Sequence, residues 1–131
     1  MSTLYDVDAN ARAVVFGLSG TSLNDAERAF FQEANPFGYI LFKRNVETPD
    51  QVRALCDSLR DLSGRNCPIL IDQEGGRVQR LNTPNWCAYP DARSFGEKAE
   101  RSLDEGLEAL RFNSLQMIED LKIDELTAGF C

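Results

Sequence analysis

Cys67-Pro68-Ile69-Leu70-Ile71-Asp72-Gln73-Glu74-Gly75-Gly76-Arg77-Val78-Gln79-Arg80 is the stretch on which the fold turns. Its short apolar run, Ile69-Leu70-Ile71, is entered through Pro68 and gives way abruptly to acids, two glycines and two arginines. A continuous apolar run rich in β-branched residues and ended by Gly-Gly reads as a strand buried on both faces. In parallel α/β proteins the chemistry gathers just past the carboxyl ends of such strands. Asp72 and Glu74 are two apart, so on a strand they point to the same side. Gly75 and Gly76 permit backbone angles that a Cβ forbids and let a ligand come close. Arg77 and Arg80 add fixed cationic donors. Residue types alone leave two readings open, a ligand site at the strand end or a strand end with a solvated polar turn.

Upstream, Gly38-Tyr39-Ile40-Leu41-Phe42 reads as a second buried strand, followed by the polar Lys43-Arg44-Asn45, and residues 13–18 read as a first. Between them Asn24 and Glu27 form a capping pair for a helix whose apolar face is Ala26, Ala29, Phe30 and Ala34, ended by Pro36. A second helix starts with Thr48 as cap, Pro49 in the first position and Gln51 closing the box. Val52, Leu55, Cys56, Leu59 and Leu62 share its inner face, and Gly64 suits its end. Residues 1–11 read as a loosely attached lead.

Downstream, residues 74–101 read as a long polar loop with Pro84, Trp86, Tyr89 and Pro90. Trp86 and Tyr89 suit a sugar-stacking platform or a pin for the loop, and pinning is favoured because prolines and aromatics together anchor loops. Ser102 with Glu105 caps a third helix, with Leu107, Leu110, Ser114, Met117, Ile118 and Leu121 inward. Leu126 to Cys131 reads as a fourth strand. This alternation is the pattern of a parallel α/β fold with right-handed crossovers. By pattern alone an open doubly wound sheet and a (β/α)8 barrel fit equally. The first strand is not followed by Gly-x-Gly-x-x-Gly, which argues against a dinucleotide binder.

Across the 131 residues, 43% are hydrophobic and 27% charged, a globular composition. The net charge is −7 and there is no basic cluster, so nucleic acid is not an expected partner. No apolar run approaches the roughly 20 residues that span a bilayer, so no membrane partner is expected either. The acidic start, residues 1–8, lacks the cationic opening of a signal peptide, which makes a cytoplasmic location the default expectation. Cys56, Cys67, Cys87 and Cys131 match no Cys-x-x-Cys or zinc spacing and are expected as reduced thiols, Cys56 in the core. The chain has no histidine, which removes Ser-His and Cys-His catalysis and histidine metal sites from it. No metal and no cofactor are expected.

Residues 71–80 resemble the signature of glycoside hydrolase family 3, most closely the β-N-acetylhexosaminidases that remove N-acetylglucosamine during bacterial cell-wall recycling. The likeness extends upstream through Gly38 to Asn45 and downstream to Tyr89-Pro90 and Phe95-Gly96, from about Val14 to about Leu121. It implies a TIM (β/α)8 barrel, which takes about 250 residues. The chain would supply roughly three and a half βα units of it, residues 1–131 being a barrel domain cut at its fourth strand. It implies a retaining β-N-acetylglucosaminidase acting on terminal N-acetylglucosamine of peptidoglycan-derived muropeptides, with a small sugar as partner.

Two carboxyl groups usually perform glycoside hydrolysis, and residues two apart on a strand have Cα atoms roughly 6.6 Å apart, so Asp72 with Glu74 is not excluded by geometry. The resemblance implies otherwise. The nucleophile is an aspartate on a later strand and the acid/base a histidine on a later loop, both expected beyond Cys131, so no catalytic residue is expected here. Asp72 and Arg80 match residues that contact the sugar, Gly75 and Gly76 shape the turn, and Glu74 and Arg77 are expected in structural hydrogen bonds inside the rim. Lys122 to Leu126 departs from the family's usual link, which bears on the fourth strand's register. The rival expectation is a catalytically inactive remnant that at most binds sugar or needs the rest of the barrel.

Overall fold

A computed structural model describes residues 5, 6, 8–123 and 126–129. The elements in chain order are β1 (Arg12–Gly17), α1 (Asp25–Ala34), β2 (Pro36–Leu41), α2 (Pro49–Ser63), β3 (Ile69–Gly75), β4 (Val78–Gln79), α3 (Ala92–Arg101), α4 (Leu103–Ile123) and β5 (Thr127–Gly129). β1, β2, β3 and β5 lie side by side and parallel, and β4 folds back antiparallel on β3. The expected parallel α/β arrangement is thus present. In register, Tyr39 pairs with Ile69 and Leu41 with Ile71, while Leu70 pairs with Thr127 and Asp72 with Gly129.

The pleat divides β3 into two faces. Ile69, Ile71, Gln73 and Gly75 are buried, whereas Leu70 and Asp72 are half-buried and Glu74 is exposed. On the buried face Tyr39, Leu41, Ile69 and Ile71 join Val52, Leu55, Cys56 and Leu59 of α2 in one core. Removing this much apolar surface from water is the main favourable contribution, about 1.5–3 kcal/mol for each fully buried aliphatic side chain. Aromatics extend the core toward α1, with Phe16 edge-on to Phe30 at 5.1 Å and Phe31 edge-on to Tyr39 at 5.1 Å between ring centroids.

The helix ends follow local chemistry. Asn24 accepts from the Glu27 backbone N–H at 2.9 Å while the Glu27 carboxylate accepts from the N–H groups of Asn24 and Ser19. Burial alone would raise the Glu27 carboxyl, but these N–H donors outweigh it and hold it below its ordinary value. Thr48 caps α2 with Pro49 in its first turn, and Gly64 closes it in the left-handed region at φ 64°. Gln51 accepts from Glu47 N–H, one residue earlier than the box expected from sequence.

Several expectations are corrected. The buried residues of α1 are Phe31 and Ala34, and Phe30 is exposed, because the helix meets the sheet one residue further round than the alanine stripe suggests. The lead is tied down where described: Asp6 N–H donates to Asn66 O at 3.2 Å, and Asp8 accepts from Asn35 at 2.9 Å. The long loop of 74–101 is instead β4, a loop over 80–91, and α3, which Asp91 caps through Ser94 N–H. Of the inner face expected for α4, Met117 and Leu121 are buried, but Leu107 and Leu110 are not. Leu103 and Phe112 are exposed as well, so the first half of α4 carries its large apolar residues outward, and Leu115 just beyond it is also exposed. Lys122 sits in the end of α4, and the fourth strand's described part is Thr127–Gly129, with Phe130 and Cys131 outside the described residues.

Two outcomes follow. Glu27→Ala should cost about 1 kcal/mol at neutral pH, as cap losses do. A carboxyl whose folded value is depressed stabilises above its ordinary value of 4.5 and loses that contribution as pH falls through the folded value. The gap between wild type and Glu27→Ala in urea melts should therefore be constant from pH 7 to 5 and narrow in acid. Second, an apolar patch of this kind drives association. Light scattering should give a mass above the 14.7 kDa monomer that rises with concentration, and the pair Leu107→Glu with Phe112→Glu should restore the monomer. A monomer at every concentration would refute the association.

Candidate functional site

The site is built on the carboxyl end of β3. Gly75 and Gly76 adopt φ values of 89° and 60°, so the chain reverses within two residues and β4 returns along β3. A Cβ on Gly75 would lie 2.1 Å from the Pro90 carbonyl oxygen, so at this position the space as well as the angle requires glycine. Gly76 N–H donates to Tyr89 O at 2.9 Å, which draws the following loop over the turn.

This reversal brings Arg80 back beside Asp72. Arg80 Nη2 donates to Asp72 Oδ2 at 3.1 Å, with the two side chains 27% and 17% exposed. Arg80 N–H also lies 3.3 Å from Asp72 O. Such a half-buried charge-assisted pair is stronger than a surface ion pair because water screens it less. Among the described residues Asp72 Oδ1 has no partner, and the buried Arg80 Nε has none either. The pair therefore leaves one carboxylate oxygen of Asp72 open to a ligand, while Arg80 Nε is enclosed by protein.

Two buried glutamines hold this geometry, and the sequence reading passed over both. Gln73 Oε1 accepts from the N–H groups of Arg80 at 3.0 Å and Leu81 at 3.1 Å, while its Nε2 donates to Leu81 O at 3.0 Å. Gln79 Nε2 donates to Leu81 O at 2.8 Å and Cys87 O at 2.6 Å, and its Oε1 accepts from Tyr89 N–H at 2.9 Å. Strand parity was the available signal: if Asp72 and Glu74 face one side, Gln73 must face the other, into the core. The loop is further pinned by Trp86, packed on the core, and by the Tyr89 hydroxyl, which donates to Asp120 of α4. Burial first, and then that carboxylate, push the Tyr89 hydroxyl well above its ordinary value. Trp86 and Tyr89 thus serve as pins.

Glu74 and Arg77 differ from expectation. Both are exposed, and neither side chain has a hydrogen bond among the described residues, because they lie at the turn's outer edge. Cys56 and Cys67 are buried and Cys87 is exposed, and none of the three is in a disulfide. Among the described residues no three histidine, cysteine, aspartate or glutamate side chains gather as a metal site would require, and no helix is long and apolar enough to cross a membrane.

Gln73→Leu keeps the volume but strands the Leu81 N–H in the core and leaves Arg80 N–H only its longer bond to Asp72 O, while Leu81 O keeps Gln79. It should cost about 1–3 kcal/mol in chemical denaturation, and it should broaden the Arg80 side-chain NMR signals as the Asp72 pair loosens.

No protein-family model matches the chain. A β-hexosaminidase of Xanthomonas oryzae pv. oryzae is 32% identical over 117 residues, 89% of this chain and 35% of that protein. One from Alkalilimnicola ehrlichii is 45% identical over 68 residues, 52% of this chain and 20% of that protein. The chain thus spans about a third or less of the length of the relatives it matches. Among solved structures, NagZ from Neisseria gonorrhoeae superposes with a TM-score of 0.66 at 25% identity, over 76% of this chain and 28% of that one. A glycoside hydrolase family 3 β-N-acetylglucosaminidase from Paenibacillus sp. gives 0.57 at 31% identity, over 63% of this chain and 16% of that one. Sequence and fold together place the chain with the amino-terminal part of the NagZ-like β-N-acetylglucosaminidases of glycoside hydrolase family 3.

Proposed function

We propose that the chain carries the sugar-holding strand end of a retaining β-N-acetylglucosaminidase acting on terminal N-acetylglucosamine of muropeptides. The observation that carries this reading is the Asp72–Arg80 pair at the carboxyl end of a parallel strand, in a chain whose relatives are β-hexosaminidases. The four parallel strands are then the first four of a (β/α)8 barrel, and residues 1–131 its front portion. Support for a small sugar comes from NagZ of Neisseria gonorrhoeae, solved in complex with N-trifluoroacetyl-D-glucosamine.

In this reading Asp72 accepts hydrogen bonds from sugar hydroxyls through its open oxygen, a charge-assisted contact. Arg80 orients that carboxylate through its Nη2. The reacting groups lie elsewhere. Asp72 is engaged with Arg80, Glu74 stands exposed, and the chain holds no histidine, so the strand end binds and orients sugar without cleaving it. The nucleophile and the acid/base are assigned, by the family likeness, to sequence beyond residue 131.

The 131-residue chain should show no turnover of a chromogenic N-acetylglucosaminide above buffer. N-acetylglucosamine should shift the NMR resonances of Gly75, Gly76 and Arg80, and Asp72→Asn should remove those shifts while leaving the fold intact. Turnover that Asp72→Asn abolishes would instead restore the Asp72–Glu74 pair as catalytic, and an unshifted spectrum would remove the sugar-binding role.

A further inference from the structure

The structure assigns a second substrate contact to Arg44, as the residue that reads an anionic group on the sugar-bearing ligand. The inference rests on the sugar-binding reading of Asp72. β2 and β3 run parallel with Leu41 opposite Ile71, so one residue further along Phe42 comes level with Asp72. Gly17 of β1 completes this end of the sheet. A Cβ on Gly17 would lie 3.3 Å from the Phe42 ring and 3.4 Å from Arg44 Nη2, so the missing side chain leaves room for both groups. Arg44 stands over the Phe42 ring with its guanidinium carbon 4.8 Å from the centroid, and its Nε donates to Leu18 O at 2.7 Å. A planar cation is thereby fixed at the carboxyl ends of β1 and β2, on the side where Asp72 stands.

A purely structural role explains little of this. Leu18 O already accepts from the buried Asn45 at 3.1 Å, and Asn45 also donates to Gly20 O and accepts from Phe42 N–H. The loops are therefore joined without Arg44. Its two terminal amino groups have no partner among the described residues, and the residue is exposed. Charge points the same way. The carboxyl ends of β2 and β3 carry Lys43, Arg44, Arg77 and Arg80 against Asp72 and Glu74, in a chain whose net charge is −7. A local cationic surplus on an acidic chain, with one fork held rigid and open, fits a carboxylate carried by the ligand beyond the sugar.

The test is an NMR titration of the whole chain with two matched probes, phenyl β-N-acetylglucosaminide and its para-carboxyphenyl counterpart. The acidic probe should bind about five-fold more tightly, the scale of one partly exposed ion pair, and the advantage should shrink in high salt. Arg44→Gln should erase the preference while leaving the neutral probe's affinity and the melting temperature unchanged, and Lys43→Gln should preserve it. Should Arg44→Gln unfold, Arg44→Lys gives the reading, because it keeps the charge and loses the fork, and the preference should fall. Equal binding of the two probes, or a preference that survives loss of Arg44, would overturn the role of Arg44 and leave the Asp72 reading standing. Binding of neither probe would overturn both.

Discussion

Everything at the candidate site depends on the reversal of the chain at Gly75-Gly76. The strand could otherwise run on, and Arg80 would then be carried away from Asp72 instead of back to it. Positive φ at two successive residues turns the strand, and the lack of Cβ atoms lets Pro90 and Asp91 close over the turn. The Asp72–Arg80 pair is a consequence of that geometry, since Arg80 follows Asp72 by eight residues and the hairpin sets it opposite.

The hairpin would be a weak support for charged groups without its glutamines. A two-residue β4 offers few ladder bonds, and an isolated hairpin is marginal in water. Gln73 and Gln79 substitute side-chain amides for the missing ladder, satisfying the backbone of Arg80, Leu81, Cys87 and Tyr89 in the interior. Buried amides are costly unless fully paired, so the arrangement tolerates little slack. Tyr89 passes the same order on to α4 through Asp120, so the loop over the turn is fixed at both ends.

The distribution of charge and apolar surface separates two sides of the molecule's business. At the carboxyl ends of β2 and β3, polar groups are held in fixed positions by the backbone they brace. Along the first half of α4, leucines and a phenylalanine stand in solvent. Burial of such residues normally repays ordering a helix, so α4 is secured instead by Met117 and Leu121 near its far end and by its packing on α3.

The sequence by itself determined the order of elements and most of their ends, because those are local. Asn24 with Glu27, Thr48 with Pro49, and Gly64 act within a turn of where they sit, and apolar runs such as Ile69-Leu70-Ile71 must be buried wherever they go. It also drew attention to residues 71–80, since two acids, two glycines and two arginines at a strand's end are an unusual cluster. What it could not supply was anything fixed by parity or by distant partners. Phe31 rather than Phe30 meets the sheet, α3 forms inside an apparent loop, and Glu74 and Arg77 are left in water, each decided by how one element lies on another. Only the tertiary structure set Gln73 and Gln79 as the frame of the site and brought Phe42, Arg44 and Gly17 together. Those contacts join residues from separate strands, and separation along the chain carries no information about distance across a sheet.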